Sequence, residues 1–338
     1  MPKAELHLHL DGSLRPTTAL ELARRAGLVD RHATVESVRR RLTGPPRSRD
    51  QAHYLRAFDL PIAVTQDEEA LERVARELVL DVATDGTRYV EVRWGPALHT
   101  GRGMSLDQVI AAVAAGTADG ARRSGVVARL IATAIRSHDP MLNAAVAEAA
   151  ARARTAGVVG FDLAGDEAAF PDPALHRAAF DAAAAGGLRL TVHAGEWDGA
   201  AQVASALGIG VERIAHGATA IRGGAVMREL IARRVTLDLC PTSNVQAGLY
   251  PNVTQHPLRD LVRAGVPATL STDARTVTSV SLVEEYARVA RGGLTPAELW
   301  RLDRHALDAA FAEESVLIPL RSEFDAWAVD QPALSQGD

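Results

Sequence analysis

Cysteine is nearly absent from this chain. Cys240 is the only one, so no internal disulfide can form and metal sites built from cysteine are excluded. Lysine is as scarce, since Lys3 stands alone among 37 basic residues. No run of basic residues occurs and the formal charge is −5, so nucleic acid is not expected as a partner. No apolar run follows a basic N-terminal region, and no signal peptide is expected. The alanine-rich stretches carry regular Arg, Asp and Glu, so none is expected to span a membrane. The expected location is the cytoplasm. No glycine-rich loop follows the first strand, which weighs against an open dinucleotide-binding sheet.

What is present is ordinary globular composition, 47% hydrophobic and 23% charged over 338 residues, with ample length for a large core. Residues 4–10 read as a first strand. A long helical and polar segment follows to about residue 87. Within it, Thr65-Gln-Asp-Glu68 reads as a capping box ahead of an amphipathic run from Leu71 to Val82. Further strands are expected at 88–94, 127–135, 158–163, 188–193, 213–216, 236–240 and 267–272, with helices between them and a helical tail. Eight mostly apolar strands alternating with helices predict one domain over residues 1–338, a (β/α)₈ TIM barrel. The first connection is far longer than a βα unit needs, and its surplus helices are expected to form a lid between the first and second strands.

In such a barrel the chemistry sits where strands end. The first strand ends in His7-Leu-His9 and turns at Asp11-Gly12, and two histidines two apart share one face of a strand. The fourth ends in Asp162-Leu-Ala-Gly165-Asp-Glu167, the fifth in His193-Ala-Gly-Glu196, the sixth in His216-Gly217, the seventh in Cys240-Pro-Thr-Ser-Asn244 and the eighth in Thr272-Asp273. Three imidazoles and a carboxylate, His7, His9, His193 and Asp273, suit zinc or another borderline divalent metal. Such an ion makes hydroxide available near neutral pH. Glu196 is placed to move a proton, and His216 to hydrogen-bond water or an oxyanion. Cys240 is expected to be a small buried residue, His138 a structural or rim residue, and His99 and His256 loop residues.

At these residues the chain resembles the adenosine deaminase family of the amidohydrolase superfamily. The similar segments run from Lys3 to Pro16, from Phe161 to Glu167, from His193 to Glu196, from Arg213 to Gly217, from Cys240 to Asn244 and from Ser271 to Asp273, in the family's order. The resemblance implies one zinc ion per chain held by His7, His9, His193 and Asp273, and a small-molecule purine nucleoside as the partner. It implies that Glu196 protonates the purine ring nitrogen and that His216 orients the attacking water. Asp273 would accept a hydrogen bond from that water. Gly165 would meet the base through its backbone. Asp11 would meet the sugar hydroxyl, beside His9, under an apolar lid that includes Tyr54, Phe58 and Leu60. Superfamily members with two metals commonly use a bridging lysine or a glutamate at the fourth strand. Lys3 cannot be that bridge, which favours one metal. No pattern in the chain speaks to oligomeric state.

One position departs from the family. After the last ligand the family usually carries Asp or Asn, which bonds the purine's five-membered ring; here Ala274 stands there. A lost buried hydrogen bond costs about 1–3 kcal/mol. Restoring Asp or Asn is therefore expected to raise activity on adenosine. The alternatives are a deaminase of adenine, of an N6-substituted adenine compound or of aminodeoxyfutalosine, and a nucleoside-binding relative with impaired catalysis.

Overall fold

A computed structural model describes residues 1–197 and 199–334. Eight parallel strands run in sequence order: β1 Lys3–His9, β2 Thr87–Trp94, β3 Val127–Ile135, β4 Val158–Ala164, β5 Arg189–Ala194, β6 Arg213–His216, β7 Thr236–Leu239 and β8 Ala268–Leu270. Each pairs with the next, and helices cover the outside. The order closes into a nearly complete barrel at one seam. There the chain beyond β8 is tied to β1 by a bridge between Leu8 and Asp273. The His9 amide donates to the Asp273 carbonyl at 2.6 Å, and the Asp273 amide to the His7 carbonyl at 3.1 Å.

Strand alternation sorts the side chains of β1. Ala4 and Leu6 face outward, onto Ala306 and Leu307 of the helix Pro296–Ala309. Glu5, His7 and His9 take the other face. The Glu5 carboxylate receives the Thr272 amide at 2.9 Å and its hydroxyl at 2.6 Å, a second tie across the seam. At the opposite side, β4 and β5 pair only through Gly160–Arg189 and Phe161–Leu190. Beyond those pairs their ends are joined by side chains, Asp162 to His193.

The interior departs from the apolar filling expected of such strands. Arg93 pairs with Asp162 at 3.2 Å and with Asp238 at 3.5 Å, while Arg213 pairs with Asp238 at 3.2 Å and with Glu91. All five side chains are fully buried. The apolar residues that dominated the strand patterns face the helices instead. Charges so buried persist only when paired and hydrogen-bonded, and here Thr269 adds a bond to Asp238 at 2.9 Å.

The residues between β1 and β2 form the helices Pro16–Arg25, Val35–Leu42, Gln51–Leu55, Asp59–Val64 and Glu68–Ala83. The expected cap at Thr65 is not the cap. Asp67 accepts the Ala70 amide at 2.8 Å and starts the last of these helices, while the Thr65 hydroxyl turns back to the Pro61 carbonyl. Both residue types cap well, and the one nearer the first helical turn prevails. No helix among the described residues is long and apolar enough to cross a membrane.

Candidate active site

His7 and His9 leave β1 on one face, His193 leaves β5, and Asp273 follows β8. Their ligand atoms all lie within 4.8 Å of one another. Nε2 of His9 lies 3.2 Å from Nε2 of His7 and 3.1 Å from Nε2 of His193. Asp273 Oδ1 lies 3.2 Å from His7 Nε2 and 3.3 Å from His9 Nε2. Donors about 2.05 Å from a tetrahedral zinc ion stand roughly 3.3 Å apart, so the spacing fits such an ion. Ligation also needs neutral imidazoles and an ionised carboxylate. Burial lowers His7 well below its ordinary value and His9 to about 4. For Asp273 burial works upward, but His7 and the neighbouring imidazoles hold its carboxyl well below the usual range.

Two of the four candidate ligands are held from behind. Asp162 accepts from His193 Nδ1 at 3.0–3.1 Å, which leaves Nε2 free to face the cluster. Burial works against that carboxylate, yet His193 and Arg93 keep it strongly acidic. Ser243 donates to Asp273 Oδ2 at 2.6 Å, leaving Oδ1 toward the histidines, and the Tyr54 hydroxyl meets Ser243 at 2.9 Å. His216 and Asp273 both adopt left-handed backbone, with φ of 63° and 66°. That conformation costs roughly 1–3 kcal/mol for a non-glycine residue, and both occurrences lie where strands turn into the site.

Glu196 sits beside the cluster, its Oε1 3.6 Å from His216 Nε2. Burial, then the charges of Asp273 and Glu167, push its carboxyl well above the usual range. That direction favours the protonated form, the one able to deliver a proton. Its backbone is clamped by Glu167, which accepts the amides of Gly195, Glu196 and Trp197 at 2.6, 3.0 and 3.0 Å. Arg136 holds the other side, donating to the His193 carbonyl at 2.7 Å.

These groups open into a cavity of about 380 Å³. His9, Asp11, Gly165, His193, Glu196, His216 and Asp273 line it, with Gln51, Tyr54, Phe58 and Asp59 from the segment after β1. None of the described lining residues is Lys or Arg. Asp11 is already engaged, by the Gly95 amide at 3.1 Å and His99 Nε2 at 2.9 Å. Gln51 donates to the Gly165 carbonyl at 3.1 Å and accepts the Ala168 amide, so this segment steers the β4 loop.

Comparison with known proteins agrees with this geometry. The sequence model of the adenosine deaminase family matches residues 2–327. The adenosine deaminase of Clostridium acetobutylicum is 35% identical over 96% of this chain and 97% of its own. That of Mycobacterium leprae is 39% identical over 92% and 90%. The chain belongs to the adenosine deaminase family. Among solved structures, an adenine deaminase of Arthrobacter aurescens superposes with a TM-score of 0.89, at 27% identity over 97% of this chain and 99% of that one. The N6-mAMP deaminase of Arabidopsis gives 0.86, at 30% identity over 96% and 98%. A zinc-bound amidohydrolase of Burkholderia ambifaria gives 0.87, at 26% identity over 97% and 92%. The protein is a hydrolytic deaminase.

The deaminase site unites every strand-end residue expected from the sequence except one. Ala274 is fully buried and packs with Tyr54, Ala57 and Val277, among which Phe58 and Leu55 also rest. Gly12 presses on it: a Cβ there would stand 2.5 Å from the Ala274 Cβ and 2.7 Å from Phe58. Leu60 likewise belongs to the core and not to the cavity. His99 ends a short helical turn, Pro96–His99, and His256 lies in a loop as expected, but both are buried. His99 is buried against Asp11, and His256 is buried with Nε2 3.0 Å from Asn244 Oδ1. Asn244, Glu167 and Arg136 also support the site without having been assigned roles. Glu167 and Asn244 stood within the strand-end segments, whereas nothing in the local pattern marks Arg136 or His256.

Two outcomes follow. Ala274→Asp should lower thermal stability and not raise adenosine turnover, because its carboxylate enters a filled, desolvated pocket; melting curves and steady-state rates on one preparation check this. Asp162→Asn should weaken metal binding by roughly 10–100-fold, read by competition with a chelating dye.

Proposed function

We propose that this enzyme hydrolyses adenosine, 2′-deoxyadenosine or a close 6-aminopurine nucleoside to the inosine-type product and ammonia, with one zinc ion per chain on His7, His9, His193 and Asp273. When bound, zinc supplies hydroxide near neutral pH by lowering the pKa of the water it holds. Glu196, kept protonated by burial, gives its proton to the ring nitrogen next to the reacting carbon. That makes the carbon more electrophilic as oxygen adds to it. Asp273 accepts a hydrogen bond from the attacking water, and His216 faces the charge that develops on its oxygen. The adduct's hydroxyl proton then passes to the amino group, the C–N bond breaks, and ammonia leaves as the carbonyl of the product forms. Gly165 meets the base and Asp11 the sugar hydroxyl, while the helices from Gln51 to Val64 act as a lid that excludes water.

The observation that carries this reading is the wall of the cavity. It combines a buried carboxyl raised well above the usual range with a four-donor cluster that could hold a metal, and carries Asp11, Asp59 and Asp166 but no described Lys or Arg. A phosphate ester would meet like charge with no described Lys or Arg to pair with it. An uncharged nucleoside would not. Neighbours in the family differ here, since solved complexes of an Arabidopsis relative hold IMP or GMP. The free base is the second reading, favoured by the two hydrogen bonds that already occupy Asp11.

The test is a panel of adenosine, 2′-deoxyadenosine, adenine, AMP and N6-methyl-AMP, with zinc measured on the same sample. The nucleosides should lead, and the nucleotides should trail by about tenfold or more in kcat/KM, as 1.4 kcal/mol of uncompensated repulsion would give. A nucleotide as the best substrate would overturn the reading, and adenine as the best would favour the second. Glu196→Gln should keep its metal and lose on the order of 10²–10⁴ in kcat; near-full activity would remove Glu196 from the proton transfer.

A further inference from the structure

A chain of four hydrogen bonds runs from the backbone of the β7–β8 connection into the active site. The Leu258 amide donates to His256 Nδ1 at 3.1 Å. His256 Nε2 lies 3.0 Å from Asn244 Oδ1. Asn244 Nδ2 lies 3.2 Å from His216 Nδ1 and 3.3 Å from Glu196 Oε1. His216, Asn244 and His256 are all buried, so water does not substitute for a mismatched partner at little cost.

We infer that His256 and Asn244 are positioning residues that lock His216 with its proton on Nε2, so that it meets the reacting oxygen as a hydrogen-bond donor. The logic starts at the one group that cannot change role. A backbone N–H only donates, so His256 Nδ1 must accept, and the ring proton is on Nε2. That proton requires an acceptor on Asn244, which fixes the amide orientation and turns its NH₂ toward the site. The NH₂ has two protons and two partners. One goes to Glu196 and the other to His216 Nδ1, which must therefore be unprotonated. The remaining proton of a neutral His216 is on Nε2.

The opposite arrangement fails at two places. A proton on His216 Nδ1 would face the Asn244 NH₂ at donor-to-donor distance. Turning the amide over would relieve that contact but set its NH₂ against the Nε2–H of His256. Neither conflict relaxes, because the Leu258 amide holds His256 in place. Burial also lowers His256 to about 3, and the bare Nδ1 that the Asn244 amide demands of His216 leaves that ring a single proton. His216 lines the cavity and its Nε2 stands 3.6 Å from Glu196, too far for a hydrogen bond. The Nε2 proton is thus directed at whatever oxygen occupies the cavity. A histidine in this state cannot accept a proton from water through Nε2, so that proton must leave by another group.

The measurement is two-bond ¹H–¹⁵N correlation on the zinc-loaded protein with ¹⁵N-labelled histidine, assigned with a His216→Gln variant. The unsubstituted protein should show His216 protonated on Nε2 and bare on Nδ1. Asn244→Asp puts an acceptor where the donor was and should move the His216 proton to Nδ1. It should lower kcat by roughly 10²–10³, the usual effect of losing one oxyanion donor, with KM little changed. His256→Gln, whose amide can accept from Leu258 and donate to Asn244, should keep the Nε2–H signature and most activity, whereas His256→Phe should lose both. A proton on Nδ1 in the unsubstituted protein overturns the proposal, with or without folded variants. So does a His216 tautomer that stays put in Asn244→Asp, whatever happens to turnover. The inference uses the deaminase reading only to say what the donor meets. Failure to release ammonia from any aminopurine would defeat that reading and leave the tautomer result standing.

Discussion

The hydrogen bonds that place Asp273 between His7 and His9 govern both the fold and the site. Its amide and carbonyl bridge to β1 and close the barrel, and its carboxylate contributes a ligand atom within 3.3 Å of both β1 histidines. Closure and ligand geometry are therefore one event. A slip of one residue at this seam would turn His7 and His9 outward and carry Asp273 away from them. The left-handed backbone at Asp273 is the local strain that this arrangement tolerates, and the ties of Glu5 to Thr272 and of Ser243 to Asp273 help to hold it.

Beneath the ligands the ion pairs of Arg93, Asp162, Asp238, Arg213 and Glu91 fill the barrel. An apolar filling could support the walls equally well. It could not present Asp162 to His193, nor keep that carboxylate ionised in a dry interior. The column thus connects packing to chemistry, because the charge that orients His193 is itself held by Arg93. On the other side of the cavity, Glu167, Asn244 and Arg136 fix the backbone and side chain around Glu196. The carboxyl is held in place while burial raises it above the usual range.

Much of the site was legible because strand ends are local features. His7-x-His9, His193 through Glu196, His216 and Asp273 each terminate an apolar run, and a barrel brings all strand ends to one rim. The support was not legible. His256 lies in a connection that reads as loop, and its part depends on Asn244, twelve residues earlier. Arg136 is one arginine among many, distinguished only by its burial against the His193 carbonyl. Ala274 shows the opposite failure. Its neighbour in sequence is a candidate ligand, yet its methyl group is buried against Gly12 among Tyr54, Ala57 and Val277.

The amino-acid sequence alone determined the strand periodicity, the barrel class and the candidate ligand and acid residues, since these rest on short-range pattern and on chemistry that few residue types can perform. The tertiary structure alone decided which face each buried side chain takes at the seam, which carboxylates stay ionised and which stay protonated, and that the interior is ionic. Those outcomes depend on distance and desolvation among residues far apart in the chain, such as Glu91 and Arg213 or Asp162 and His193, and no local pattern encodes either quantity.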